Sequence, residues 1–472
     1  MRVADGRPVT SEQRRLVGAV CVIVGASFVV GASLTFLITP MLDELGLTSD
    51  QAGVALAIPS IASLLIVFAV GRLGDRVGHR RVLVGAALPF MAGSVLVALA
   101  PSMPLISLGL LLAGGAATAI QIVALGLLQI SFPDGPARVS AFTSFGMVFP
   151  AVYLVIPVLT GALVGVTSWR WMPVLWAVLG AVIAVLAIRL IPRPGAPAPV
   201  GELWTPLLAG LVLAGVVTAL QRGHDGGWSS PATLWSALVA VVAFTACAVA
   251  LRRMHTPSFS LLILRVPGMT LLLTGVVLVV IASTLTYVML GLEYLYGQTV
   301  LGAALWLVPA QAGAVLGAKV VAGVLMRRWG TAHAGQVTLL CFALSLLTLL
   351  LISVTTPMSL LVVSATLFSL FGYASVTILN AAVMAGSPSG QTSMVSAFRA
   401  AASSLGSALA IVILGAAITG VVIDTDTLGA TQVPDPAALV DGLRTNGIVG
   451  AVIAALAWVA LRWALRGPRR MN

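Results

Sequence analysis

The fold of this chain is decided by a short charged stretch, Gly71-Arg72-Leu73-Gly74-Asp75-Arg76-Val77-Gly78-His79-Arg80-Arg81. It lies between two apolar segments, each long enough to cross a bilayer as a helix. A second stretch, Gly323-Val324-Leu325-Met326-Arg327-Arg328-Trp329-Gly330, repeats its skeleton between two later apolar segments, with Gly71 matching Gly323, Leu73 matching Leu325, Arg76 matching Arg328 and Gly78 matching Gly330. The repeat predicts a chain built from two related halves, which is a design found in transporters.

Composition places the chain in a membrane without any motif. Of its 472 residues, 59% are hydrophobic and 8% are charged, whereas about 25% of the residues of a soluble domain are charged. Apolar runs of roughly 20 residues recur along the chain, and each could span the hydrocarbon of a bilayer as a helix. We therefore predict an all-α integral membrane protein that crosses the cell membrane many times.

Most of the charged residues behind the net charge of +11 lie in the short connections between the apolar segments, and they are not gathered in one patch. Connections rich in arginine alternate with connections that carry acidic residues. By the positive-inside rule, an alternation of basic and acidic connections places both termini in the cytoplasm, with an even number of spans. It also argues against a nucleic-acid partner. The basic connections carry Arg14 and Arg15, Arg72 to Arg81, Arg138, Arg189 and Arg193, Arg252, Arg253 and Arg265, Arg327 and Arg328, and Arg462 to Arg470; the others carry Asp43, Glu44, Asp50, Asp225, Asp424, Asp426, Asp435 and Asp441.

The apolar runs predict about fourteen transmembrane helices in groups of six, two and six. The predicted domains are an N-terminal six-helix bundle over residues 1–192, a linker with two inserted transmembrane helices over 193–265, and a C-terminal six-helix bundle over 266–472. Small residues mark the predicted helix contacts at 113–118, 313–317 and 403–407, either for movement or for static packing. The predicted spans are 15–40, 50–72, 81–100, 104–131, 138–165, 170–191, 203–221, 232–252, 269–296, 299–326, 335–354, 357–385, 394–422 and 447–465.

Three motifs resemble one family. The charged stretch resembles the G-x-L-(a)-D-R-x-G loop between helices 2 and 3 of the major facilitator superfamily. Residues 157–161 followed by 168–171 resemble the G-P-x-x-G-G and s-W-R-W signatures around helices 5 and 6, and residues 223–229 resemble the turn between the two extra helices of the fourteen-span drug:proton antiporters. The resemblance covers the chain from about residue 15 to about 465. It implies the major facilitator fold and export of hydrophobic or amphipathic small molecules, such as drugs, antibiotics or natural products, by proton antiport with alternating access.

The resemblance also implies gating residues. In the family, the aspartate that matches Asp75 holds the two halves together on the cytoplasmic side and favours the outward-open state, so Asp75 with Arg76 and Arg138 is expected to form this latch. The alternative is a solvated loop carboxylate beside arginines. Arg399 matches a family arginine at the start of span 13 and is expected to be a gate residue. The other motif residues are Gly71, Gly78, Arg80, Pro157 and Gly161.

Proton coupling has two candidate carboxylates, Glu293 and Asp75. Glu293 is the sole acid inside a predicted span, and a carboxylate partly removed from water can exchange a proton near neutral pH. Alternatively, it lies only about 6 Å from the outer end of its helix and is wetted by the extracellular vestibule. Two charged positions tied to coupling in relatives are absent, since the span 1 aspartate aligns with Gly31 and the span 4 arginine aligns with Leu110. The prediction that a proton gradient drives transport therefore depends on Glu293 and Asp75 alone.

Uncharged polar and aromatic residues inside the spans predict a substrate cavity. A pocket of apolar and aromatic groups with a few amides suits a bulky amphipathic ligand. Each residue taken singly could instead hydrogen-bond one helix to another. The candidates are Gln121, Gln129, Tyr153, Tyr287, Glu293, Tyr294, Gln311, Tyr373 and Asn380.

No enzyme is predicted. The sequence has no G-x-x-x-x-G-K-S/T loop, and its four histidines are scattered among the connections, so neither direct use of ATP, nor a metal site, nor a cofactor is expected. The expected partners are a small hydrophobic or amphipathic substrate and membrane lipids, and the chain is expected to be a monomer. An uncoupled facilitator, a lipid or natural-product exporter, and a non-transporting membrane sensor are the alternatives.

Overall fold

The protein is described by a computed structural model over residues 11–46, 49–132, 135–192, 195, 198–253, 261–283, 288–289, 291–298, 300–422 and 436–464. Every regular element within these ranges is helical. Two short 3-10 helices span Leu261–Arg265 and Leu347–Leu351, and two π-helical segments span Gly291–Leu295 and Gly317–Val321. The α-helices are α1 (Ser11–Leu45), α2 (Ser49–Val77), α3 (His79–Leu99), α4 (Met103–Ser131), α5 (Gly135–Val166), α6 (Trp171–Leu190), α7 (Trp204–Gly226), α8 (Pro231–Arg253), α9 (Met269–Ala282), α10 (Val300–Trp306), α11 (Val308–Leu316), α12 (Ala322–Leu346), α13 (Met358–Ala385), α14 (Thr392–Val422) and α15 (Pro436–Ala464).

The helices fit the predicted spans. Within the described residues, 12 helical runs are long and apolar enough to cross a membrane. One of them, Gly302–Leu351, is 50 residues long and contains two predicted spans, while the shorter apolar helix Met269–Ala282 begins another. Each predicted span therefore overlaps a helix. The predicted fold class is confirmed, and the chain is a multi-pass membrane protein.

The charged stretch is mostly helical rather than a loop. α2 continues through it to Val77, and α3 begins at His79. Only Gly78 interrupts the helix, with a φ of 100°, a value that a residue with a side chain rarely adopts. Its counterpart in the repeat, Gly330, has a φ of 71° and breaks α12 in the same way. The repeat in the sequence is thus a repeat of one backbone feature.

The second half departs from the prediction of long continuous helices. α9 ends at Ala282, where the Ser283 N–H is shared between two carbonyls and the Ser283 hydroxyl donates to the Val279 carbonyl at 2.6 Å. The predicted span over 269–296 is therefore not one helix. Further on, α10 and α11 are separate because Pro309, in the first turn of α11, has no N–H to continue the hydrogen-bond ladder.

Contacts divide the chain into two compact units. In unit 1, α3 packs against α4 and α6, and α1 packs against α5 and α6. In unit 2, α15 packs against α9 and α12. The first and third helices of each predicted half thus pack against its sixth helix, while the predicted domain boundaries stay a prediction. Unit 1 comprises Met1–Ala219, Pro231–Ile263 and Met384–Ala401; unit 2 comprises Leu220–Ser230, Leu264–Val383 and Ala402–Asn472.

The three runs of small residues predicted to mark helix contacts do so. A Cβ built on Gly114 would lie 2.6 Å from the Cα of Pro59. A Cβ on Gly313 would lie 2.9 Å from the Thr366 carbonyl oxygen, and one on Gly406 would lie 2.8 Å from the Val277 carbonyl oxygen. Because these neighbours are backbone atoms, any larger residue would force the helices apart.

Candidate functional site

Asp75, in the last turn of α2, binds the beginning of α14. Its Oδ1 accepts a hydrogen bond from the backbone N–H of Ser393 at 2.8 Å, and its Oδ2 accepts one from the N–H of Met394 at 3.0 Å. The Thr392 hydroxyl lies 3.5 Å from Oδ1. These N–H groups belong to the first turn of a helix, where no carbonyl of that helix can accept them. Asp75 is therefore a helix cap supplied by a different helix, and its negative charge suits the helix N-terminus.

Ser393 is fully buried in a cradle made by α2, α3 and α4. Its Oγ lies 3.1 Å from Nε2 of His79. A Cβ built on Gly74 would lie 2.5 Å from this Oγ, and one on Gly126 would lie 2.8 Å from it. A Cβ on Gly71 would lie 3.1 Å from the Ser393 carbonyl oxygen. Residues 384–401 group with unit 1, so the whole cradle is internal to that unit.

The recorded hydrogen-bond partners of Asp75 are on α14, and its predicted pairing with Arg76 and Arg138 stays a prediction. Within the described chain, its hydrogen bonds go to the start of α14. Arg76 is exposed, and the guanidinium of Arg138 lies 5.3 Å from the ring centroid of Phe142. Each carboxylate oxygen therefore has a backbone N–H donor. The solvated-loop alternative is wrong, since Asp75 is half-buried and helical.

The proline-rich break after α6 is tied to the charged stretch. We call residues 195 and 198–200 the linker strap. The Ala198 N–H donates to the Arg76 carbonyl at 3.0 Å, and Nε of Arg72 donates to the Val200 carbonyl at 3.1 Å. The sequence predicted only a boundary here, because backbone partners leave no residue pattern.

A second polar cluster joins α1, α3 and the start of α6. The Glu44 carboxylate accepts from Nε of Arg170 at 2.9 Å and from Nε1 of Trp169 at 2.7 Å. Nη1 of Arg170 donates to the carbonyls of Ala98, at 2.8 Å, and Ala100, at 3.0 Å. In the sequence, the s-W-R-W motif marked the tryptophan and the arginine as notable residues. Glu44 entered only as one of the acidic residues of the connections, and its contact with them was not predicted.

Several predicted motif and coupling residues have no shared site in the structure. Pro157 is half-buried inside α5, whereas Gly161 is exposed, and a Cβ built on it would meet nothing within 4 Å. Arg80 is half-buried. Glu293 is half-buried in the π-helical segment Gly291–Leu295 of unit 2, and its coupling role stays a prediction. Tyr294 is 44% exposed.

Tyr153 occupies the space beside Gly31, where the resemblance expects a side-chain carboxylate. Its ring stacks on Phe149 with centroids 4.3 Å apart, and Phe28 meets Phe149 edge-on at 5.1 Å. The phenol oxygen lies 3.3 Å from a Cβ built on Gly31. Since Gly31 has no side chain, this part of unit 1 is an aromatic surface rather than a charged one.

Three other cavity candidates carry buried amide oxygens without a hydrogen-bond partner among the described residues: Gln129 in unit 1, and Gln311 and Asn380 in unit 2. Such groups call for a water or a ligand. Gln121 and Tyr373 are half-buried, and Tyr287 lies outside the described residues. No three His, Cys, Asp or Glu side chains of the described chain are grouped as metal ligands would be.

Arg399 lies on α14, two turns beyond the Asp75 cap. The residue is half-buried, and its Nε is buried without a hydrogen-bond partner in the described chain. Its role as a gate residue stays a prediction, and none of the described residues forms an ion pair with it.

Repeated apolar helices, a glycine break at the same point of each repeat and a carboxylate that caps a distant helix together define a multi-pass membrane protein with an internal repeat. The sequence profile described as Major Facilitator Superfamily matches residues 19–411. The chain belongs to this superfamily.

Relatives of known name agree with this assignment. An uncharacterized MFS-type transporter of Mycobacterium tuberculosis is 31% identical over 259 residues, which cover 53% of this chain and 36% of that protein. The Methylenomycin A resistance protein of Bacillus subtilis is 30% identical over 188 residues, 40% of each chain. The matched part thus spans less than half the length of these curated relatives. The crystal structure of the human organic anion transporter MFSD10 has the same fold, with a TM-score of 0.67 at 15% identity over 95% of this chain and 99% of that one.

Proposed function

We propose that this transporter exports hydrophobic or amphipathic small molecules, among them antibiotics or natural products, across the cell membrane by proton antiport with alternating access. The cap that Asp75 places on α14 carries the proposal. A carboxylate that accepts two backbone N–H groups holds a helix start firmly, yet it releases one of them when a proton takes an oxygen. Protonation therefore loosens a contact that must break when the transporter changes state.

The direction and the substrate class have separate support. The alternation of basic and acidic connections favours cytoplasmic termini, which would put the Asp75 cap on the cytoplasmic side. The likeness to a methylenomycin resistance protein favours export of an antibiotic-like molecule. The stack of Phe28, Phe149 and Tyr153 favours a ligand with a flat apolar body, since aromatic rings gain from offset stacking.

Uncoupled facilitation is the competing function, because Gly31 and Leu110 stand where related antiporters carry charges. Under antiport, the proton must be carried by Asp75, by Glu293 or by both. Under facilitation, neither carboxylate responds to the substrate.

Everted vesicles distinguish the two functions. Vesicles containing the protein are acidified by respiration, and proton release is followed with a pH-sensitive dye as antibiotics and aromatic metabolites are added. The compounds come from a susceptibility screen of cells with and without the protein. Antiport predicts substrate-dependent proton release that Asp75→Asn or Glu293→Gln reduces by about tenfold or more. Transport without proton release, unchanged in both variants, would establish facilitation instead.

A further inference from the structure

Arg399 carries a charge that the rest of the described chain does not neutralise. It lies inside the apolar run Thr392–Leu414, seven residues beyond Thr392, or about 10 Å along the helix. Its Nε is buried without a partner. The ion pairs between described residues join Arg170 to Glu44 and Arg444 to Asp441, and neither includes Arg399. Among the buried unpartnered polar atoms, this Nε is the only one that belongs to a charged group in the described chain.

A guanidinium whose Nε is buried and unpartnered inside an apolar helix favours a counter-charge. Removing an ion from water is unfavourable unless a partner replaces the lost hydration, and charged residues inside spans commonly mark the path of a substrate or ion. Asp75 is not bonded to Arg399 in the described chain, since its carboxylate oxygens accept from N–H groups of the first turn of α14. The N–H groups of Ser393 and Met394 are occupied by the same contact.

A buried hydroxyl lies about one turn before Arg399 on the same helix. Ser396 is fully buried, and its Oγ also has no hydrogen-bond partner among the described residues. It precedes Arg399 by three positions, which places both on one side of the helix. Long side chains on a helix point toward its N-terminus, so the guanidinium is directed toward the turn that holds Ser396. This side of α14 therefore carries two unsatisfied polar groups, one of them charged, about one turn apart.

The apolar helix around Arg399 bears on what else an occupant would carry. Arg399 lies inside the apolar run Thr392–Leu414. A small hydrated anion gains little from such surroundings, whereas an anion attached to an apolar body gains from both the charge and the apolar neighbours.

We propose that Arg399, assisted by Ser396, binds an anionic oxygen group (a carboxylate, sulfonate or phosphate) carried by an amphipathic molecule. As a substrate site this rests on the proposed export function, and it narrows the substrate class to amphipathic anions. The same chemistry could also come from the head group of an anionic lipid.

Dye binding to the purified full-length protein in detergent tests the site without any transport. The probes are dansylglycine and its uncharged amide, which differ only in the carboxylate. Wild-type protein is expected to bind the acid at least about tenfold more tightly than the amide, as a charge-assisted hydrogen bond requires. Arg399→Gln is expected to abolish this preference while still binding the amide, which shows that the variant is folded. Arg399→Lys keeps the charge and is expected to retain part of the preference.

Arg189→Gln is the matched control, since Arg189 is exposed at the end of α6 and its loss should change neither affinity. Equal binding of the two dyes by wild-type protein would overturn the proposal, and so would a preference for the acid that survives Arg399→Gln. The wild-type comparison needs no variant, and none of these results depends on proton coupling or on export.

Two further arms identify the source of the anion. Phosphatidylglycerol is added to phosphatidylcholine nanodiscs to compete with the dye, and proteoliposomes are tested for movement of dansylglycine. Competition without movement assigns the site to a lipid phosphate. Movement without competition assigns it to the substrate.

Discussion

Asp75 binds the start of α14 with both carboxylate oxygens, and this makes it the most consequential single residue of the charged stretch. The bonds of 2.8 and 3.0 Å run to backbone N–H groups, so the contact depends on the carboxylate and on the position of the helix, and hardly at all on the side chains of α14. Hydrogen bonds to a charged group contribute more than neutral ones.

Asp75→Asn should expose the first turn of α14. Asparagine keeps one acceptor oxygen, so one of the two N–H groups loses its partner along with the charge. We expect amide hydrogen exchange at Ser393 or Met394 to become roughly 10 to 100 times faster, which corresponds to the loss of about 1.5–3 kcal/mol for such a bond.

The control for this exchange experiment is Asp441→Asn. Asp441 lies 3.7 Å from Arg444 in a pair whose acidic side chain is 77% exposed, and exposed pairs contribute about 0–1 kcal/mol. Protection of both N–H groups that is unchanged in Asp75→Asn would contradict the capping role.

At the scale of elements, glycines let α2 and α4 approach α14. A Cβ on Gly74 would lie 2.5 Å from the Ser393 Oγ and 2.8 Å from its Cβ. Ser393 cannot retreat easily, because its Oγ is held near His79 and its N–H is held by Asp75. The packing of these helices therefore depends on the absence of one methyl group.

Gly74→Ala should destabilise the protein by about 1–3 kcal/mol, the usual range for an overpacked core, and lower its Tm in detergent. Gly85→Ala makes the same change in α3, where a built Cβ meets nothing within 4 Å. Alanine is the better helix former by about 0.5–1 kcal/mol, so this control should keep or raise the Tm. Equal Tm values for the two variants would mean that α14 does not pack as described.

Across the whole molecule, the two halves use one design with different side chains. Gly78 and Gly330 break the chain at the same point of each repeat. Arg170, before the sixth helix of the first half, donates to carbonyls at the end of α3. Arg444, near the start of α15, donates to the Ile352 carbonyl at 2.9 Å, just beyond the third helix of the second half. In both halves, an arginine near the start of the sixth helix thus donates to backbone carbonyls at the end of the third helix.

The alternation of basic and acidic connections predicts the orientation of the whole molecule, and labelling can test it. Cys21, Cys247 and Cys341 are first replaced by alanine. In intact cells, a maleimide that cannot cross membranes should leave Arg81→Cys unlabelled and label Ser229→Cys, because the positive-inside rule keeps the arginine-rich connections in the cytoplasm. Both positions are exposed in the structure. Everted vesicles should show the reverse pattern. Labelling of Arg81→Cys in intact cells would contradict the predicted topology, and the proposed direction of export depends on that topology.

The sequence by itself determined what depends on local composition. Apolar runs of bilayer length predicted the spans, the alternating charges predicted the orientation, and the spacing of Gly71, Arg76 and Gly78 predicted the repeat. The small residues around Gly114, Gly313 and Gly406 predicted close helix contacts. Each of these signals is read within one helix or one connection, where hydropathy and backbone preference act directly.

Only the tertiary structure decided which groups hydrogen-bond to each other. Asp75 caps Ser393 and Met394, more than 300 residues away, and the linker strap binds the charged stretch through backbone groups. Every residue except proline has an N–H and all have a carbonyl, so such partners carry no mark in the sequence. The sequence is equally silent about a missing partner. Only the packed structure reveals that the Nε of Arg399 is buried and that no described residue bonds to it.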